Sequence, residues 1–370
     1  MQALALLPYR IEHGENSNGN IALAAPAFDE DKLLIYREIF YDGFSTVIAA
    51  RDLTSGGAVS IKKTDYSLLG NCFSHITYLQ RRVATKLRKQ TSCIRSLSHP
   101  AVMKMLDFVS EPQRIVVITE MCLFGDLFNW MLQQHVIRFR DVLVILHGLF
   151  QAFHFIHDKG YSHGYLKPTN VLFQTISPHS LVVLPDLSVK KEIACLLNEP
   201  LSTCQSCTAP EALKKLINDF EQDLAAESAK NDEYAYFGTK EMDIWSIGVI
   251  ILIALTGINF FQYDSIEDMK QPLEARLDKA FSHPIIQMCS KQLTTNLKLV
   301  LNIDPEGRIT AAAGANINWV DEAKVSDDDR NLLYMMEHDL LNTCKYFRMY
   351  GQNVLQDLLS RARRPKSNVN

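Results

Sequence analysis

At 370 residues, 47% apolar and 22% charged, the chain is long enough for two compact lobes around a sizeable core. A formal net charge of −4 excludes the basic excess that steers a general nucleic-acid partner, so no nucleic-acid role is expected. The eight cysteines are scattered, and only Cys204 and Cys207 form a CxxC, with no second pair to complete a metal cage; they read as reduced thiols of a cytosolic protein, a redox or metal role being the alternative.

The opening MQALALLPYR lacks a leading positive charge and an A-x-A-like cleavage site, which argues against a secretory signal. Residues 1–30, with the polar run HGENSNGN, are expected as a mobile leader. From Leu33 to Lys63 the runs KLLIYREIF, TVIAAR and AVSIKK, separated by YDG and TSGG, predict an antiparallel meander. A helix over roughly 74–97 and strands near KMLDFV and RIVVITEM complete a small sheet carrying one helix.

After GDLFNWM the pattern turns to long amphipathic helices, one over roughly 139–159, with short strands near 171 and 182, so a second lobe is expected from Phe124. The polar stretch EQDLAAESAKNDE (221–233) reads as a solvated insertion. The window IWSIGVIILIALTGINFF (244–261) approaches membrane-span length. Ser246, Gly248, Thr256, Gly257 and Asn259 interrupt it, leaving about 15 apolar residues where a span needs about 20, which predicts a buried central helix and no membrane. Residues 321–370 read as a helical extension ending in the basic SRARRPKSNVN.

Several short matches fall in order between residues 33 and 320: Val47, VSIK ending at Lys62, HP at 99–100, TEM at 119–121, LKPTN at 166–170, APE at 209–211, DIWSIG at 243–248 and DPEGR at 304–308. Their shared order resembles the eukaryotic protein kinase fold. That is an α+β, bilobal fold with a small antiparallel β lobe carrying one helix and a larger, mainly α lobe. The expected division is a leader at 1–30, a kinase-like domain at 31–320 with lobes at 31–123 and 124–320, and an extension at 321–370.

The resemblance gives these residues jobs. Val47 would close the glycine-rich loop, Ser60 and Leu172 would sandwich adenine, Thr119 would be the gatekeeper, and Met121 would lie in the hinge. Glu211 and Arg308 would form a buried bidentate ion pair, two unrelated surface charges being the plainer alternative. Asp243 would hold the catalytic-loop backbone, and His163 reads as a packed core histidine.

Phosphoryl transfer from ATP needs a phosphate cradle, a lysine held by a helix glutamate, a base, and ligands for magnesium. Counting back from Val47, the three cradle glycines fall on Phe40, Asp42 and Ser45, with Gly43 displaced, so the loop is a poor cradle. Lys62 is present, but Gln90 stands where its glutamate is expected, and no Asp or Glu occurs between residues 66 and 98. In HGYLKPTN, Gly164 and Tyr165 replace the Arg and Asp of the HRD pattern, and no carboxylate occurs from 159 to 185. Tyrosine, with a pKa near 10, accepts a proton poorly at neutral pH. No catalytic residue is therefore assigned.

Asp186 in PDLSV holds the metal position of the DFG triplet, and Asn170 and Asp186 would hold one magnesium ion or simply bond loop backbone. Lys62, Lys167, Asn170 and Asp186 argue for ATP binding, while Asp42, Gln90 and the lost glycines argue against tight binding. Arg81, Arg82, Lys86, Arg88, Lys89 and Arg95 make the 74–97 helix cationic. Arg82, Lys86 and Lys89 fall on one face as candidates for docking a partner, a solvated face being the alternative.

The stretch HDKGYSHGYLKPTNVLF, with His157 to Gly160, Tyr161 and His163, the missing aspartate and the degraded triplet, is most similar to the sterile-20-related adaptor (STRAD) pseudokinases. That resemblance implies an adaptor that activates a serine/threonine kinase of the LKB type allosterically, in a complex with a helical-repeat scaffold; the expected location is the cytoplasm, with the nucleus as an additional alternative. The tail PKSNVN lacks the family's WEF-type scaffold anchor. The alternative is a weak or unconventional ATP-dependent protein kinase that recruits its base from elsewhere.

Overall fold

Alternating apolar residues build the first sheet. β1 (Leu33–Tyr41), β2 (Ser45–Asp52) and β3 (Ala58–Asp65) form an antiparallel meander, and β4 (Met105–Ser110) and β5 (Arg114–Glu120) extend it in the order β1-β2-β3-β5-β4. The computed structural model describes residues 32–41, 45–65, 94–110, 114–134, 137–184, 205–221, 239–263 and 266–322. The expected leader, most of the 74–97 helix, the 221–233 insertion beyond Glu221 and the extension beyond Glu322 lie outside these residues.

Side chains alternate across a strand, so the sheet sorts into two faces. Ala50, Val59, Ile61, Val116 and Ile118 cluster on one, with Leu33, Ile35, Ile48 and Val109 packed against them. The opposite face carries a row running across four strands, Phe40, Val47, Lys62 and Val117, because these residues are successive register partners. A second row there joins Ala49, Ser60 and Thr119. Near the β4 edge, Arg95 lies 3.7 Å from Asp107 and over the ring of Phe108. Arg95, at the described end of the expected cationic helix, thus takes its carboxylate from a strand outside that helix.

The second lobe is helical: α1 (Leu127–Gln133), α2 (Phe139–Asp158), α3 (Pro210–Glu221), α4 (Lys240–Thr256), α5 (Ile266–Met269), α6 (Leu273–Phe281), α7 (Pro284–Gln287), α8 (Lys291–Val300), α9 (Ala311–Ala315) and α10 (Trp319–Glu322). A two-stranded hairpin, β6 (Val171–Phe173) with β7 (Leu181–Val183), lies between α2 and α3. In α2 the buried Val142, Ile145, Leu146, Leu149, Phe150, Phe153 and Ile156 recur at helical spacing and face the core. This helix is long and apolar enough to cross a membrane by length and composition, and 56% of its most apolar window is buried within the fold.

α4 is buried on every side from Asp243 to Thr256. Thr239 Oγ1 accepts from the Met242 N–H at its start. Gly257, at φ 74°, ends it by donating its N–H to Ile253 O. The expected buried central helix is thus α4, which stops at Thr256, and Phe261 beyond it packs edge-on against Trp245.

Two sets of backbone bonds land on the β6–β7 hairpin, one from the segment just past the connection between the lobes and one from the first lobe's segment ahead of β4. Phe124 N–H donates to Phe173 O (3.2 Å), and Phe173 N–H to Gly125 O (3.0 Å). On the other strand, Met103 N–H donates to Val183 O and Val183 N–H to Ala101 O, both at 2.9 Å. His99 stacks on Phe155 of α2 beside this second join, ring centroids 4.9 Å apart.

Candidate functional site

The site is organised by a buried carboxylate. Asp243, in the first turn of α4, has a side chain wholly removed from solvent. Its Oδ2 accepts from His163 N–H (2.8 Å) and its Oδ1 from Gly164 N–H (2.6 Å), fixing the loop that precedes β6. His157 Nε2 of α2 also meets Oδ2 at 2.9 Å, a partner that sequence reasoning missed. The available signal was its place on the apolar face of α2, four residues after the buried Phe153. His163 Nε2 bonds Leu184 O (2.9 Å), and its Nδ1 accepts from Tyr165 N–H. Both histidines thus hold the loop.

Gly164 occupies the arginine position of the HRD pattern with φ 67°, a left-handed backbone that glycine adopts without Cβ strain. Tyr165 follows at the base position. The Lys167 ammonium lies 4.9 Å from the Tyr165 ring centroid, a cation–π contact where the pattern would set lysine against a carboxylate. Asn170 is buried and donates its amide to Tyr165 O at 3.2 Å. Residues 164–166 face Thr208 and Ala209 across a cavity of about 10 Å³, the size of a single water.

Below the loop, Arg308 and Glu211 form a bidentate pair, with Nη1–Oε1 and Nη2–Oε2 both 2.7 Å. Arg308 also donates to the carbonyls of Asn302, Glu241 and Ile303 and stacks on Trp245. Its side chain is fully buried, while that of Glu211 is 25% exposed.

On the first lobe, Lys62 sits opposite Val47 and Val117, and Ser60 opposite Ala49 and Thr119. Met121 N–H donates to Ala58 O (3.3 Å), fastening the connection between lobes to β3. Leu172 pairs with Val182 and bridges Asp126 beside that connection. The small residues and hinge backbone fit the flat edge of a purine. The phosphate end fits poorly. Phe40, at the first cradle position, is 52% exposed on the face of Val47 and Lys62, where glycine would leave backbone open. Ser45, at the third, is buried with its Oγ bonded to Thr64 Oγ1 at 3.0 Å.

Asp42, Gly43, Gln90, Asp186 and the docking candidates Arg82, Lys86 and Lys89 lie outside the described residues. Among the described residues no group of three or more His, Cys, Asp or Glu is placed to hold a metal ion. The hinge thiol Cys122 is pushed up to about 12 by burial and by the charge of Glu120, so it stays protonated at neutral pH.

Residues 42–320 match the protein kinase domain family. The ovarian-specific serine/threonine-protein kinase Lok of Drosophila melanogaster is 24% identical over 257 residues, covering 67% of this chain and 48% of that protein. Maternal embryonic leucine zipper kinase of Xenopus laevis is 26% identical over 297 residues, covering 79% and 40%. Human CaM kinase-like vesicle-associated protein is 23% identical over 328 residues, covering 85% and 57%. The chain thus spans between 40% and 57% of the length of these three relatives. The crystal structure of Rad53 1–466 in complex with AMP-PNP superposes with a TM-score of 0.55 at 19% identity, over 78% of this chain and 65% of that one, a likeness of fold.

Proposed function

The chain belongs to the protein kinase domain family, and on that premise we propose that it is a catalytically deficient adaptor, a kinase-shaped surface that biases a partner's conformation through differential contacts. The observation that carries this reading is the loop at 163–170. Tyr165 stands at the base position with Lys167 on its ring, and no carboxylate occurs from 159 to 185 to replace the base. Asp243 still holds this loop with both carboxylate oxygens, and the Arg308–Glu211 pair still ties α3 to the segment that follows α8. Architecture without a local base suffices for an adaptor, whereas phosphoryl transfer uses a residue that accepts the substrate hydroxyl proton.

The partner we propose is a serine/threonine kinase of the LKB type, assembled with a helical-repeat scaffold in the cytoplasm and nucleus. Its support is the likeness of 157–173 to the STRAD pseudokinases.

A second reading, a weak ATP-dependent serine/threonine kinase, is favoured by the register of Val47 with Lys62 and by relatives named as kinases. In it, ATP with magnesium would supply the transferred phosphoryl group, with Lys62 and Asn170 among its holders. Radiolabelled transfer from ATP by the purified chain, and turnover of a candidate partner kinase with and without it, separate the two. The adaptor reading expects raised partner turnover, no transfer by the chain alone, and no loss of activation in Lys62→Ala. Transfer by the chain that disappears in Lys62→Ala would overturn it.

A further inference from the structure

His99 stands at the head of a tight turn where the first lobe rests on the second. Its carbonyl accepts from Val102 N–H (3.0 Å), and Pro100 at the next position presets the backbone for that turn. The side chain braces the same turn: Nδ1 accepts from Ala101 N–H at 3.1 Å, the part that an asparagine oxygen plays in an Asx turn. Held this way, Ala101 O accepts from Val183 N–H of β7 at 2.9 Å, and Met103 N–H donates back to Val183 O. The ring itself lies half-buried on Phe155 of α2. An imidazole accepts at Nδ1 only while neutral, with its proton on Nε2. A second proton makes Nδ1 a donor set against the Ala101 donor, and the brace is lost.

We propose that His99 is a pH-sensitive latch between the lobes, closed when its ring is neutral and released when the ring is protonated. The charged groups on the elements packed around it do not stabilise an imidazolium. On α2, the Lys159 ammonium lies 5.7 Å from the centroid of the same Phe155 ring and 4.0 Å from the Asp158 carboxylate, while His154 is exposed. β7 carries no titratable side chain, and the hairpin's only one is His179 in its loop. On the segment that holds the turn, Arg95 is engaged by Asp107 and Lys104 is exposed. Burial accordingly holds the imidazole below its ordinary pKa of 6.5. The latched state is therefore fully favoured above that value and is drained as pH falls through it. The inference is the same for an adaptor and for a kinase, since it concerns the seat of one lobe on the other.

The test is hydrogen exchange by mass spectrometry on the full chain, with protection corrected for the pH dependence of intrinsic exchange, for the wild type, His99→Asn and His99→Ala. In the wild type, protection of peptides covering 101–103 and 183 should fall about fivefold to tenfold between about pH 7.5 and about pH 5.5, because the released ring titrates near 6.5. His99→Asn supplies an acceptor that does not titrate, and should hold protection within about twofold over the same range. His99→Ala has no acceptor, and should lose protection already at neutral pH and show no further pH-dependent fall. The wild type and His99→Asn decide the matter should His99→Ala not fold. Protection in the wild type that is independent of pH, an equal acid-side fall in His99→Asn, or full neutral protection in His99→Ala would each overturn the proposal.

Discussion

Replacing Asp243 with asparagine removes one acceptor oxygen from a site that uses both. With the amide oxygen at the Oδ1 position, Gly164 N–H keeps its partner, but His163 N–H faces an NH2 group. His157 tolerates this orientation by changing tautomer and accepting from the amide. With the amide flipped, His163 and His157 are satisfied and Gly164 N–H is orphaned. Either way one buried backbone donor loses its acceptor, about 1–3 kcal/mol, and the remaining bonds lose their charge assistance, for a total of about 2–4 kcal/mol. In a domain of this size that lowers Tm by roughly 4–8 °C. Hydrogen exchange followed by mass spectrometry should show peptides spanning 163–165 exchanging faster. A Tm within about 1 °C of wild type, or unchanged protection of those amides, would refute the claim that Asp243 holds the loop.

Glu211→Gln leaves the buried guanidinium of Arg308 facing a neutral amide, and a loss of about 2–3 kcal/mol is expected, below the value for a fully buried pair because Glu211 is partly exposed. A double-mutant cycle with Arg308→Met should show coupling, and additivity would argue against the pair. Gly164→Ala should destabilise by about 1–2 kcal/mol through its left-handed backbone, measurable by urea unfolding. Burial holds His99 below its usual pKa, so the unfolded chain binds the proton more readily and stability falls as pH drops through the unfolded value near 6.5. Tm measured from about pH 8 to about pH 5.5 should fall more steeply in wild type than in His99→Asn. Cys122 and Cys289, both pushed up to about 12 by burial, should alkylate far more slowly with iodoacetamide at neutral pH than in the urea-unfolded chain.

Sequence alone carried the parts of this molecule that repeat or that sit at fixed spacing. The meander was legible from alternation between turn residues, and Val47 and Lys62 as short matches at a fixed spacing. Asp243, Glu211 and Arg308 were legible as short matches in order. What joins distant elements without periodicity was not legible. His157 reaching Asp243 across 86 residues, His99 stacking on Phe155 and Arg95 meeting Asp107 each depend on packing that no local pattern announces. The end of α4 falls at Gly257, one of the residues that break the apolar window in sequence.

The β6–β7 hairpin takes hold of the chain on either side of the last two strands of the first sheet: β7 bonds Ala101 and Met103 ahead of β4, and β6 bonds Phe124 and Gly125 just past β5. It is therefore a seat of the second lobe on which that part of the first lobe rests. Spin labels on the exposed Leu53 and Leu299, one on each lobe, should report how far the first lobe shifts against that seat, and a partner that grips both lobes should narrow the spread of separations.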